Sequence, residues 1–163
     1  MSTFSGPKNI QIMRGLSSDR NLLSCNVEGT KVDLYFHPEG GRQEWLINPH
    51  PNLPKTDLIF SIQSNGTVND GRKWLSTNGN TSTSLSLFAD PQDSSYWKIQ
   101  PAPDCPLPAT FIIQPWKNPT HFLSVKHDGT LVDIYNQNEM VGRQWWTIYD
   151  AYSKEDPQKW WNH

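Results

Sequence analysis

Apolar side chains recur at every second position in short runs along this chain. In Val32-Asp33-Leu34-Tyr35 and Val132-Asp133-Ile134-Tyr135, residues two apart share one face of an extended strand. Val and Leu or Ile therefore point to a core, and Asp and Tyr point outward. Such runs, four to seven residues long and bounded by Gly, Asn, Asp and Pro, predict strands rather than helices. In the N-terminal third the strands fall at about 8–14, 21–26, 31–37 and 43–48. The turn between the second and third carries Glu28-Gly29, with Asn78-Gly79 and Asp128-Gly129 at the matching places further on. Glycine there supplies the positive φ of a tight hairpin.

The pattern is written three times. Gly29-Thr30-Lys31-Val32-Asp33-Leu34-Tyr35, closed by Gly41-Arg42-Gln43-Glu44-Trp45-Leu46-Ile47, returns as Gly129-Thr130-Leu131-Val132-Asp133-Ile134-Tyr135 and Gly142-Arg143-Gln144-Trp145-Trp146-Thr147-Ile148. A middle copy, Ser84-Leu85-Ser86-Leu87-Phe88 with Ser94-Ser95-Tyr96-Trp97-Lys98-Ile99, keeps the apolar and aromatic positions without Gly-Arg-Gln. Leu-Ser pairs begin at Leu23, Leu75 and Leu123 (75−23=52, 123−75=48), and the closing tryptophans Trp45, Trp97 and Trp146 step by 52 and 49. Ile-Gln pairs at Ile10, Ile62 and Ile113 step by 52 and 51. Unrelated residues have no reason to keep one period at independent landmarks, so this is a threefold structural repeat.

A unit of four strands exposes an apolar face that it cannot bury alone. Three such units close around a shared core and protect one another's edges. Twelve strands in three copies of four predict an all-β fold, the β-trefoil, with pseudo-threefold symmetry. Residues 1–163 form one domain with repeats at about 8–50, 58–100 and 109–150 and a tail at 153–163. The proline-rich segments His50-Pro51-Asn52-Leu53-Pro54 and Pro101 to Pro108 mark repeat boundaries, since proline interrupts a central strand.

Composition sharpens this picture. Only 35% of residues are hydrophobic, but eight Trp, five Tyr and six Phe concentrate apolar area in a few large side chains. With 14 Lys and Arg against 16 Asp and Glu the net charge is −2, which gives no general attraction to nucleic acid or an anionic membrane. The N-terminal residues lack the basic and apolar regions of a secretory signal, and no apolar run reaches the roughly 18 residues of a membrane span. The expectation is a chain that is cytoplasmic, or released without a classical signal peptide, with no membrane insertion. In that setting Cys25 and Cys105 are expected as reduced thiols, and the acceptor sequences at Asn65 and Asn80 as turns.

The tripeptides Gln43-Glu44-Trp45 and Gln144-Trp145-Trp146, closing repeats of about 50 residues, resemble the Gln-x-Trp signature of ricin-B-type β-trefoil lectins. The resemblance runs from about Lys8 to Tyr149. It implies that Trp45, Trp97 and Trp146 are core and that Gln43 and Gln144 support sugar sites. By position it also implies that Tyr35 and Tyr135 are stacking aromatics, with Phe88 in the middle copy, and it puts Arg42 and Arg143 where the family usually carries Asn. The family's leading Asp corresponds to Ser24, Ser76 or Ser124, so galactose in particular is not implied. Ser95 stands in place of Gln in the middle copy.

The residues themselves make chemical sense of that assignment. A pyranose offers a C–H face and a rim of hydroxyls, which call for an aromatic platform beside a carboxylate and amide or guanidinium donors. Asp33, Tyr35, Arg42 and Gln43, with Asp133, Tyr135, Arg143 and Gln144, supply that set twice. The bland alternative is a surface of cross-strand contacts and weak ion pairs.

Other chemistry finds little footing. His37, His50, His121 and His127 lack metal-ligand spacing and fit surface or turn roles, and no metal or other cofactor is expected. No nucleophile elbow, phosphate loop or dinucleotide fingerprint occurs, and Glu39 with Glu44 forms a carboxylate pair in one copy only. Trp160-Trp161 in the tail are costly to leave in water and are expected to pack on the barrel, or on a second copy in a homodimer. The functional expectation is a non-catalytic lectin that binds glycans or glycoproteins through repeats one and three. The alternative is a β-trefoil protein-binding module, such as a protease inhibitor or a cytoskeletal binder.

Overall fold

The computed structural model of the chain describes residues 4–12, 21–36, 40–79, 82–103, 105–125, 132–136 and 142–152. Expectations about residues 13–14, His37, Glu39, Asn80, His127, the Asp128-Gly129 turn and the tail from 153 onward lie outside the described residues.

Among the described residues twelve strands run in order: β1 (Lys8–Ile12), β2 (Leu22–Cys25), β3 (Val32–Tyr35), β4 (Trp45–Pro49), β5 (Ile59–Ser64), β6 (Trp74–Thr77), β7 (Leu85–Phe88), β8 (Tyr96–Pro101), β9 (Thr110–Pro115), β10 (Phe122–Val125), β11 (Val132–Tyr135) and β12 (Trp146–Asp150). All pairings are antiparallel. Strands β1, β4, β5, β8, β9 and β12 pair in a closed cycle, so these six form a barrel without free edges. The other six form three hairpins, β2–β3, β6–β7 and β10–β11, that meet at one end of the barrel. Backbone bonds stitch neighbouring hairpins together, from Leu87 N–H to Gly29 O at 2.8 Å and from Ile134 N–H to Thr83 O at 3.1 Å.

The landmarks that kept the period in sequence share one physical cause. Trp45, Trp97 and Trp146 are all 0% exposed, and each indole Nε1–H donates to the carbonyl of the repeat's leucine: Leu23 at 2.9 Å, Leu75 at 2.9 Å and Leu123 at 3.0 Å. The closing tryptophan thus locks its own hairpin to the barrel while its ring fills the core. Ile10, Ile62 and Ile113, the third landmark, are also 0% exposed, on the first strand of each repeat. The ring of strands closes between chain ends at β1 and β12, where Lys8 forms an ion pair with Asp150 opposite it in register.

One boundary differs from expectation for a local reason. The fourth strand begins at Trp45 rather than at 43, because Gly41–Gln43 form a 3-10 turn; Asp93–Ser95 and Gly142–Gln144 do the same before β8 and β12. The side chain at the last turn residue explains the switch: Gln43 Oε1 accepts from Gly40 N–H at 3.1 Å and Ser95 Oγ from Gln92 N–H at 3.0 Å. Such local bonding to the backbone competes with an extended ladder. Pro49, Pro101 and Pro115 occupy the last positions of β4, β8 and β9, where a missing N–H is tolerated.

Candidate functional site

The three hairpins have the same register, and that fixes which side chains stand together. In β2–β3, Leu22 faces Tyr35 and Ser24 faces Asp33. In β10–β11, Phe122 faces Tyr135 and Ser124 faces Asp133. In β6–β7, Trp74 faces Phe88 and Ser76 faces Ser86. Alternation puts Val32, Leu34, Val132 and Ile134 in the core and leaves Asp33, Tyr35 and Asp133 half-buried, with Tyr135 37% exposed. Asp and Tyr of repeats one and three therefore lie side by side on outward faces. The Tyr35 ring stacks on Phe36, 4.7 Å between centroids, which widens the aromatic surface of repeat one.

Beneath each outward face runs a buried polar link. Gln43, 4% exposed, donates from Nε2 to Ser24 Oγ at 2.9 Å while its Oε1 caps the 3-10 turn, and its carbonyl accepts from the buried Asn9 amide at 2.8 Å. Gln144 is 1% exposed at the matching place. Both glutamines are interior, and Gln43 holds the closing turn of its repeat against Ser24 of the second strand. In the middle repeat Ser95 Oγ lies 2.7 Å from Ser76 Oγ and also accepts from Gln92 N–H. A serine pair there does the work of the Gln–Ser pair elsewhere.

Arg42 is exposed, and its guanidinium Nη1 donates to Cys25 O at 3.5 Å, which sets it beside β2. Burial pushes the Cys25 thiol up to about 11 from an ordinary 9.0; the Ser64 hydroxyl and the Arg42 charge pull it down, and the Asp33 charge adds to the rise. Arg42 also borders an open polar depression of about 330 Å³ with Gly40, Gly41 and Thr67. Its floor requires two glycines: a Cβ on Gly41 would lie 2.5 Å from Gly66 Cα, and one on Gly66 would lie 2.7 Å from Arg42 N. In repeat three, Asp133 borders a second depression of about 210 Å³, where Thr30, Lys31, Thr83 and Ser84 also meet. Arg143 is half-buried in the turn before β12.

Glu44 accepts from Asn65 Nδ2 at 3.1 Å and from the Tyr152 hydroxyl at 2.8 Å, which gives this carboxylate a structural role. His50 has the expected turn role, its Nδ1 accepting from Asn52 N–H at 3.1 Å. It does more than that. Its ring lies 4.4 Å from Tyr96 and 5.1 Å from Trp116, and Tyr96 lies 6.3 Å from Trp74. The sequence reading passed over this group; the available signal was the outward parity of Tyr96, next to the core Trp97, and of Trp74, next to the core Leu75.

No protein-family model matches the sequence. No curated protein matches it either. Solved structures do. The designed 3-fold symmetric protein ThreeFoil matches with a TM-score of 0.66 at 13% identity, over 90% of this chain and 99% of its own. SeviL, solved bound to asialo-GM1 saccharide, matches at 0.66 and 14% identity over 90% of this chain and 98% of its own. The BEL beta-trefoil in an apo crystal form matches at 0.65 and 14% identity, over 90% and 94%. The fold is a β-trefoil. At these identities the likeness is one of backbone architecture, and the side chains of this β-trefoil must speak for its function.

Proposed function

We propose that this β-trefoil is a non-catalytic carbohydrate-binding module with shallow sites on the outward faces of repeats one and three. The observation that carries the reading is the shared register of β2–β3 and β10–β11, which sets Asp33 beside Tyr35 and Asp133 beside Tyr135, with a Gln43–Ser24 bond beneath the first pair and the buried Gln144 at the matching place in the third repeat. In each site the Tyr ring stacks on the C–H face of one pyranose. The Asp carboxylate accepts from ring hydroxyls, and Arg42 or Arg143 donates to them. Gln43 and Gln144 hold the strand beneath. Both sites are open surfaces, which suits terminal sugars of a larger glycan and gives useful avidity only when two sites engage together. That SeviL shares the fold and is bound to a saccharide accords with this reading.

A glycan array tests it, followed by competition with the free sugar. Saccharide binding by the wild type, sharply reduced in a Tyr35→Ala/Tyr135→Ala variant that keeps its circular dichroism spectrum, supports the proposal. Absence of binding across a broad array, together with inhibition of a protease or retention of a cytoskeletal protein, would replace it with a protein-binding role.

A further inference from the structure

We propose that repeat two carries a saccharide site of different construction, an aromatic surface formed by Trp74, Tyr96, Trp116 and His50. It takes its ligand class from the carbohydrate reading but uses none of the Asp–Tyr residues. Three repeats contribute to it: His50 from the β4–β5 connection, Trp74 and Tyr96 from β6 and β8, and Trp116 from the loop after β9. Tyr96 is the hub, 4.4 Å from His50, 6.1 Å from Trp116 and 6.3 Å from Trp74.

A packing cluster alone accounts poorly for this group. Core aromatics of this chain, Trp45, Trp97 and Trp146, are 0% exposed, whereas all four rings of the surface group are half-buried. Their planes meet at 50–82°, and each of the four rings keeps part of its surface in contact with solvent. Lys117 Nζ sits 4.0 Å from the Trp116 centroid and Lys73 Nζ 6.0 Å from that of Trp74, so cations border two of the rings. The strand beside the rings is polar: Ser61 faces Tyr96 and Gln63 faces Trp74 in register.

That mixture selects the occupant. An apolar protein segment laid on these rings would strip water from the Lys117 ammonium without giving it a partner, and would leave the Gln63 amide with only its bond to Ser61 Oγ at 3.2 Å. A pyranose stacks its C–H face on the rings, and its hydroxyls accept from the ammonium and the amide. The ligand class is therefore a sugar residue held chiefly by stacking, without the carboxylate contact of the Asp–Tyr sites.

The test is a titration of the intact ¹⁵N-labelled chain with the methyl glycosides of galactose, N-acetylgalactosamine, N-acetylglucosamine and mannose, read on the tryptophan indole N–H signals. Saturable shifts of Trp74 and Trp116 with one glycoside are expected, while Trp45, Trp97 and Trp146, bonded to leucine carbonyls, stay in place. Those shifts persist in the Tyr35→Ala/Tyr135→Ala variant. Trp116→Ala weakens the interaction about tenfold, the equivalent of ~1.4 kcal/mol, and Trp116→Phe restores part of it. Absence of shifts at Trp74 and Trp116 while Tyr35- and Tyr135-dependent binding persists would overturn this site and leave the proposed function standing. Shifts abolished by the double Tyr variant would also overturn it. No binding of any saccharide by the wild type would overturn both.

Discussion

Replacing each closing tryptophan in turn measures how far the threefold symmetry extends from geometry to energy. Trp45, Trp97 and Trp146 each fill the core at 0% exposure and each satisfy one buried leucine carbonyl. Substitution by Ala removes the ring and leaves a cavity, at a cost of about 3–5 kcal/mol. For a domain of this size that lowers the melting midpoint by roughly 6–20 °C, at 2–4 °C per kcal/mol. Substitution by Phe keeps most of the volume but strands the carbonyl of Leu23, Leu75 or Leu123; an unpaired buried acceptor costs about 1–3 kcal/mol. The Phe variants should therefore lose a substantial part of what the Ala variants lose, and the loss should be similar at all three positions. Urea unfolding followed by circular dichroism and by fluorescence gives the numbers. A closing-tryptophan variant with wild-type stability, or Phe variants indistinguishable from wild type, would refute the claim that the indole bond is a structural lock repeated three times.

Gly66→Ala should destabilise by about 1–3 kcal/mol, as overpacking does, because its Cβ would press into the backbone of Gly41 and Arg42; thermal unfolding reads this. The Cys25 thiol is raised to about 11 from 9.0, so its stabilising contribution is full below pH 9 and is lost as pH rises toward 11, when the unfolded chain releases the proton first. Denaturant titrations should show the wild type losing about 2–3 kcal/mol more than Cys25→Ala over that interval; parallel pH profiles would refute the assignment. Tyr35→Ala and Tyr135→Ala should each abolish one of two equivalent Asp–Tyr sites and sharply reduce avidity on a multivalent glycan surface, with stability held near wild type because both rings lie outside the core. Undiminished binding in the double variant would show the repeated Asp-x-Tyr residues to be structural.

The fold was legible because its determinants are repeated and short-range. Alternation in Val32-Asp33-Leu34-Tyr35 declares a half-buried strand, and Leu23 with Trp45 must keep a fixed spacing because one accepts the other's indole proton. The outward faces were legible for the same reason. What the sequence concealed depends on distances between repeats. Nothing local announces that His50, Tyr96 and Trp116 converge, since they come from the β4–β5 connection, the start of β8 and the loop after β9. Nor does it reveal that Gly41 and Gly66 touch, which joins the closing turn of repeat one to the loop after β5. The 3-10 turns were hidden too, because Gln43 can extend a strand or cap a turn and only the position of Ser24 decides.

The differences between repeat two and its neighbours do not have a single cause. Ser95 in place of Gln43 is a local equivalent, since it caps the same turn and reaches the same second-strand serine. That difference carries no information about binding. Ser86 in place of Asp33 turns its hydroxyl to the Asn78 side chain in the hairpin, and Phe88 keeps a ring where Tyr35 has a phenol. These two changes do remove the polar rim of an Asp–Tyr site. A face that had only lost a ligand has no need of added ring area. Instead Phe88 stands opposite Trp74, where repeat one has Leu22, and Trp74 leads into the group of Tyr96, Trp116 and His50. Polar contacts decrease and ring area increases on the same face. Both changes accord with the proposed site, in which stacking takes the place of a carboxylate contact.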